Sequence, residues 1–259
     1  MILDKVIDAD ACPLHETGFI AACRDRLAAD GVITIPGFLR PEAVSALVTE
    51  AEVQAPNAYF TSSTHNVYLT PPDPALADEH VFNRQITSSK GCITTDQVPA
   101  GSGLHLIYGS AAFRHFIAAV VGVPALFEYA DPLSSINVHY AAAGQELGWH
   151  FDNSSFAVTL LLQAPEAGGE FQYVRDLRDA DQGELNFEGV GDVLDGGRGV
   201  ETLHITPGTL VLFRGRNSMH RVTPTVGDRT RILVVLAYNT EPGIALSEAA
   251  RLTFYGRLG

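Results

Sequence analysis

The stretch NVHYAAAGQELGWHFDNSSFAVTLLLQ, residues 137–163, decides the fold of this chain. It holds three short β-prone runs, Ser134 to Ala141 (which begins just upstream), Gly148 to Asp152 and Phe156 to Leu162, parted by small and turn-forming residues. Working outward, the same rhythm continues through Glu170 to Val174, Glu201 to Ile205, Thr209 to Phe213, His220 to Pro224 and Arg231 to Tyr238. Thr206-Pro207-Gly208-Thr209 has Pro and Gly at the inner positions of a type II turn, and the Gly168-Gly169 pair marks another reversal. Eight short strands with intervening turns predict a mainly β fold with flanking helices, built on a jelly-roll, cupin-like core over residues 125–240.

Before that core the pattern differs. An amphipathic helix is expected around Glu16 to Ala29, a strand at Val32 to Ile35, a helix from Pro41 to Val53 with Pro at its first turn, and a helix from Ser110 to Val121. Tyr59 to Gly103, rich in Thr, Ser, Pro and Asn, reads as extended loops. Residues 1–124 are therefore expected to be a helical and loop scaffold packed on the core, and 241–259 a C-terminal extension, all within one domain spanning 1–259. The acidic, glycine-containing segment Arg175 to Val200 breaks the strand rhythm with only a weak helical patch. A loop of that length in a compact domain is usually functional or disordered, and this one is a candidate lid over the substrate.

Composition narrows the function. The 259 residues are 46% hydrophobic and 18% charged, as expected of a globular domain with a sizeable core. A formal net charge of −13 with no basic run argues against nucleic-acid recognition, and no apolar run is long enough to suggest a membrane partner. Cys12, Cys23 and Cys92 form no CxxC pair, and MILDKVIDADACPLHE has no basic region followed by an apolar one, so a cytoplasmic protein is expected. Only Lys5 and Lys90 among the 17 basic residues are lysines, which directs attention to individual arginines as anion-binding groups.

The chemistry is carried by Gly-Trp-His-Phe-Asp-Asn, residues 148–153. Side chains alternate along a strand, so His150 and Asp152 point to one side. Among nine histidines such an H-x-D arises about once by chance, so the spacing needs support. Far downstream comes GTLVLF (208–213), then His220, then Arg231. In a rolled sheet a late strand lies beside an early one, bringing His220 to the His150/Asp152 pair. Two histidines and a carboxylate leave adjacent positions open on an iron(II) ion, enough for a bidentate 2-oxo acid and O2. Arg231, on the next strand, is placed to fork the distal carboxylate of that co-substrate if its strand runs antiparallel to that of His220, with Arg229 as fallback. Tyr140 or Asn137, on opposite faces of the preceding strand, is a candidate for a further hydrogen bond. The plain readings are a surface His–Asp pair, a core histidine at 220 and an ordinary strand-end arginine at 231.

The run 137–163, together with PGTLVLFRGRNSMHRV and RTRILVVLAYN, resembles the double-stranded β-helix core of the 2-oxoglutarate/Fe(II) dioxygenase superfamily. It most resembles the branch that contains free amino acid (lysine-type) radical halogenases and their hydroxylating relatives. The resemblance covers roughly the last half of the chain. In those halogenases a small residue, usually Gly, stands at the carboxylate position and leaves room for chloride on iron. Here Asp152 fills it, so the resemblance implies hydroxylation, with 2-oxoglutarate oxidised to succinate and CO2. It also points to a small-molecule substrate, a free amino acid, with Arg84 reaching its carboxylate and Asn153 a polar part of it. The rival expectations are a carrier-bound amino acid, a peptide or a natural product as substrate, or a cupin-like protein that binds metal, including zinc, without redox chemistry.

Overall fold

The computed structural model describes residues 3–197 and 199–259. The strands are β1 (Val32–Ile35), β2 (Tyr59–His65), β3 (Ile86–Ile93), β4 (Ile136–Ala141), β5 (Leu147–His150), β6 (Ala157–Gln163), β7 (Ala167–Gly168), β8 (Phe171–Val174), β9 (Glu201–Leu203), β10 (Leu210–Phe213), β11 (Met219–Val222), β12 (Thr225–Val226) and β13 (Arg231–Leu236). The helices are α1 (Thr17–Asp30), α2 (Pro41–Gln54), α3 (Gly103–Gly109), α4 (Ala111–Val121), α5 (Phe187–Leu194) and α6 (Glu248–Tyr255). Each of the eight expected core strands is present, within a few residues of its expected bounds. Gly208 lies at φ +86° and Thr209 N donates to Thr206 O, which closes the turn read from Pro207-Gly208.

Eleven strands form one curled antiparallel sheet in the order β1-β10-β6-β13-β4-β3-β5-β11-β8-β9, with β2 on β3. The curl makes two facing walls, one from β10, β6, β13 and β4, the other from β5, β11, β8 and β9. β3 joins them by pairing with both β4 and β5. This is the jelly-roll arrangement. It separates β11 and β13: β11 is bonded to β5 and β8, whereas β13 is bonded to β4 and β6. Arg231 therefore approaches from the wall opposite His220, not from a neighbouring strand.

Alternation explains the two faces of the first wall. Ile136, Val138 and Tyr140 of β4, Leu160 and Leu162 of β6, and Ile232, Val234 and Leu236 of β13 point outward. There they share one core with Leu27 of α1, Leu47 of α2, and Phe113, Phe116 and Ile117 of α4. The N-terminal helices thus shield the sheet from water and leave its other face free to line a cavity.

One segment differs from expectation and a second takes on definite structure. The Thr- and Ser-rich region 59–103 contains β2 and β3, paired over seven residues from Tyr59↔Cys92 to His65↔Ile86. Their small hydroxyl residues looked like loop composition because most of β2 is exposed, so no apolar alternation marks it. The segment 175–200 contains α5. Asn186 caps this helix by accepting from Gly189 N and anchors it by donating to Leu177 O at 2.6 Å. Leu177, Val190 and Val193 pack with Trp149 and Phe151, so this segment is a second core layer behind the β5 strand. Among the described residues no helix is long and apolar enough to cross a membrane.

Candidate metal centre and its pocket

β5 and β11 bring the site together. His150 and His220 are direct register partners across the two antiparallel strands, and their ring centroids stand 4.2 Å apart. Asp152 follows β5 by two residues. Its backbone N–H donates to Gly215 O at 3.0 Å, which turns the chain so that the carboxylate meets both imidazoles. Asp152 Oδ1 lies 3.8 Å from His150 Nε2 and 3.5 Å from His220 Nε2. One donor atom from each residue falls within 4.8 Å of the others. The turn tolerates no side chain at 215, where a Cβ would stand 1.9 Å from Asp152 Oδ2 and 2.6 Å from its Cγ.

The donor atoms are prepared for a cation. His150 Nδ1 sits 2.7 Å from Gly148 O, and His220 Nδ1 sits 3.0 Å from Ser218 O. A carbonyl only accepts, so each Nδ1 carries the proton and each Nε2 presents a lone pair inward. Burial, reinforced by the neighbouring His220, pushes His150 down to about 3, so it stays neutral at ordinary pH. Burial alone would raise the Asp152 carboxyl, but His220, His150 and Arg178 hold it below its usual range. Asp152 Oδ2 is buried without a hydrogen-bond partner, as expected of a carboxylate shaped to face a cation. Two imidazole nitrogens plus an ionised carboxylate suit iron(II), and the packing of Phe213 and Phe171 about the His220 ring keeps that ligand in place.

The triad opens into a cavity of about 280 Å³ between the two walls. Arg231 lines it, buried and free of any carboxylate partner among the described residues. Burial lowers its pKa to about 10, which leaves the guanidinium charged. Two residues to which the sequence reading gave no role, Lys90 and His139, also line the cavity, with Lys90 Nζ 3.0 Å from His139 Nε2. Their only sequence signal is parity: His139 shares a face with Ala141, the register partner of Arg231.

Other expected residues lie elsewhere. Tyr140 points out of the barrel and donates its hydroxyl to Ala51 O at 2.7 Å, fixing α2 on the sheet. Asn137 faces inward, but its amide donates to Leu133 O and Ile136 O and its carbonyl accepts from Tyr255, so it ties α6 to the barrel end. Arg84 forms an exposed ion pair with Asp195 at 2.6 Å, outside the cavity. Asn153 is exposed and accepts from Arg216 through its backbone oxygen, and the fallback Arg229 is bonded to Pro165 O on the outer surface. Among the described residues of 175–200 none lines the cavity.

The sequence model of the family HalD, Halogenase D, matches residues 79–250, more than half of the chain and the whole of the site just described. The chain belongs to the Halogenase D family. Among solved structures, this family member is similar in fold to an oxidoreductase of the 2OG-Fe(II) oxygenase family from Burkholderia pseudomallei, at 16% identity and a TM-score of 0.52, covering 88% of this chain and 94% of that one. It is similar to the non-haem α-ketoglutarate-dependent epimerase SnoN from nogalamycin biosynthesis, at 14% identity and a TM-score of 0.60, with 86% and 84% covered. It is also similar to a prolyl-4-hydroxylase from Pseudomonas putida, at 16% identity and a TM-score of 0.52, with 83% and 96% covered. Comparison with curated protein sequences returns no match. Within the Halogenase D family this chain carries a carboxylate, Asp152, beside its two histidines.

Proposed function

We propose that this chain is an iron(II)- and 2-oxoglutarate-dependent hydroxylase of a small polar metabolite, with a free amino acid as the leading substrate class. The observation that carries the reading is Asp152, set among His150 and His220 at the mouth of a cavity whose opposite wall presents Arg231. When bound, iron with 2-oxoglutarate supplies the oxidising chemistry, giving succinate and CO2 with oxidation of a substrate carbon–hydrogen bond.

The chain's own contribution is placement. His150, Asp152 and His220 would hold the ion on one side and leave its cavity side open. Arg231 would fork the distal carboxylate of the co-substrate, its undiminished charge strengthened by the low-dielectric surroundings. Apolar side chains such as Val211, Phe213 and Leu233 line the remainder and keep water from the reacting centre. A cavity of this size suits a small molecule, and the net charge of −13 disfavours an acidic carrier protein as the substrate's bearer. Because Arg84 and Asn153 stand outside the cavity, recognition of the substrate falls to the groups that line it.

The family's description favours one rival, halogenation. Asp152 argues against it, since a carboxylate on the ion occupies the place a halide would take. The test is succinate release from 2-oxoglutarate under air with Fe(II), screened across amino acids in the presence of chloride, with products read by mass spectrometry. Hydroxylated product is expected, and a chlorinated product from the unaltered protein would overturn the reading. Asp152→Ala is expected to lower turnover by orders of magnitude, about the scale on which a first-row metal ligand acts. A zinc-binding, non-redox protein would instead give no visible band on anaerobic addition of Fe(II) and 2-oxoglutarate.

A further inference from the structure

Lys90 is one of only two lysines in the chain, and it lies on the strand that joins the two walls. On β3, Gly91 pairs with Tyr140 and Cys92 with His139, which sets Lys90 level with Ala141. The other neighbour of Ala141 is Arg231. Lys90 and Arg231 therefore flank β4 at the same height, two strand spacings or roughly 9.5 Å apart at the backbone, and both side chains enter the cavity. That span is within reach of two long side chains converging on a single group.

Neither cation has a carboxylate partner among the described ion pairs. Asp152 is the one carboxylate among the residues that line the cavity, and it belongs to the metal triad. An unpaired charge inside a protein is costly, and burial holds the Lys90 ammonium below its usual range, so two basic groups facing one cavity call for an anion. His139 stands between them. Burial, Lys90 and Arg231 all hold it in the neutral form, so it can accept from Lys90 without cancelling the lysine's charge. An ammonium has three donors, and one spent on His139 leaves two for a ligand.

We propose that Lys90 and Arg231 jointly grip the distal carboxylate of the 2-oxo acid, with His139 bracing Lys90, so that Lys90 is a specificity determinant for a dicarboxylic co-substrate. The inference rests on the iron and 2-oxoglutarate reading above and adds to it a second anion-binding arm, on a strand the sequence had left as loop.

The experiment is an anaerobic titration of the Fe(II)-loaded protein with 2-oxoglutarate and, separately, with 2-oxobutyrate, which lacks the distal carboxylate. Binding is read from the visible charge-transfer band. In Lys90→Met, 2-oxoglutarate is expected to bind about ten- to hundredfold more weakly, the scale of a lost charge-assisted contact. Affinity for 2-oxobutyrate should stay within about twofold, because only the contact to the missing group is affected. Lys90→Arg, which keeps the charge, should retain most of the preference. Circular dichroism and thermal melting verify folding, and Lys90→Gln replaces the Met variant if that one does not fold. Unchanged 2-oxoglutarate affinity, or equal weakening of both acids, overturns the proposal. Absence of the band in the unaltered protein would instead overturn the parent reading, so the two failures are distinguishable.

Discussion

Asp152 draws its importance from its neighbours more than from its place in an H-x-D. Its Oδ1 meets both imidazoles, and its Oδ2 occupies the space that a Cβ on Gly215 would fill. Gly215→Ala would put a methyl group 3.0 Å from even the Cβ of Asp152, so the whole side chain must move. The expected result is a roughly 10- to 100-fold loss of metal affinity with little change in secondary structure, measured by titration with Mn(II). His139 provides a pH signature. Its pKa lies well below the ordinary 6.5, first through burial and then through Lys90 and Arg231. Below about pH 6.5 the unfolded chain binds a proton at this residue that the folded chain refuses, so its contribution to stability is present above that pH and lost as pH falls. His139→Gln should flatten the fall in melting temperature of the metal-free protein between pH 7 and pH 5, and an unchanged slope would refute the assignment.

At the scale of elements, the seam between the walls depends on close backbone approach. Gly148 on β5 faces β3, and a Cβ there would stand 2.4 Å from Thr87 O and 2.2 Å from a methyl of Ile86. Backbone cannot give way as a flexible side chain can, so Gly148→Ala should cost about 2 kcal/mol, a drop in melting temperature of roughly 4–8 °C. Differential scanning calorimetry would show it. Since β5 carries His150, the same change should also weaken metal binding. α6 acts at the other end of the barrel. Arg257 makes a two-pronged contact with Asp96, and Tyr255 bonds Asn137, so the C-terminal helix is a stopper for the core. Alternation placed Asn137 and Tyr140 on opposite faces without saying which face is inward, and the partner of Asn137 lies 118 residues away, where no local pattern announces the bond.

For the molecule as a whole, the metal should act as part of the fold. The triad joins β5, the turn after it and β11, so a bound ion cross-links two neighbouring strands of the second wall. Saturation at about 100 times its dissociation constant is worth roughly 2.7 kcal/mol. Mn(II) should therefore raise the melting temperature by about 5–10 °C in the native chain and much less in Asp152→Ala. The eight core strands and the triad were readable from sequence because period-two alternation and turn chemistry are local, and because an ordered set of motifs constrains which strands can meet. β2, β3 and the roles of Lys90 and His139 were not. Exposed Thr- and Ser-rich strands carry no apolar signal, and a buried lysine looks like any other lysine until its neighbours are known. The sequence by itself determined the jelly roll, which follows from local periodicity and turn chemistry, and it singled out His150, Asp152 and His220 through the order of the motifs that follow the H-x-D. Only the tertiary structure decided that Arg231 faces the triad from the opposite wall, that Tyr140 belongs to the helical side, that Arg84 is held by Asp195, and that Lys90 and His139 enter the cavity, because those facts depend on which strands pair across the curl and pairing is a property of the whole chain.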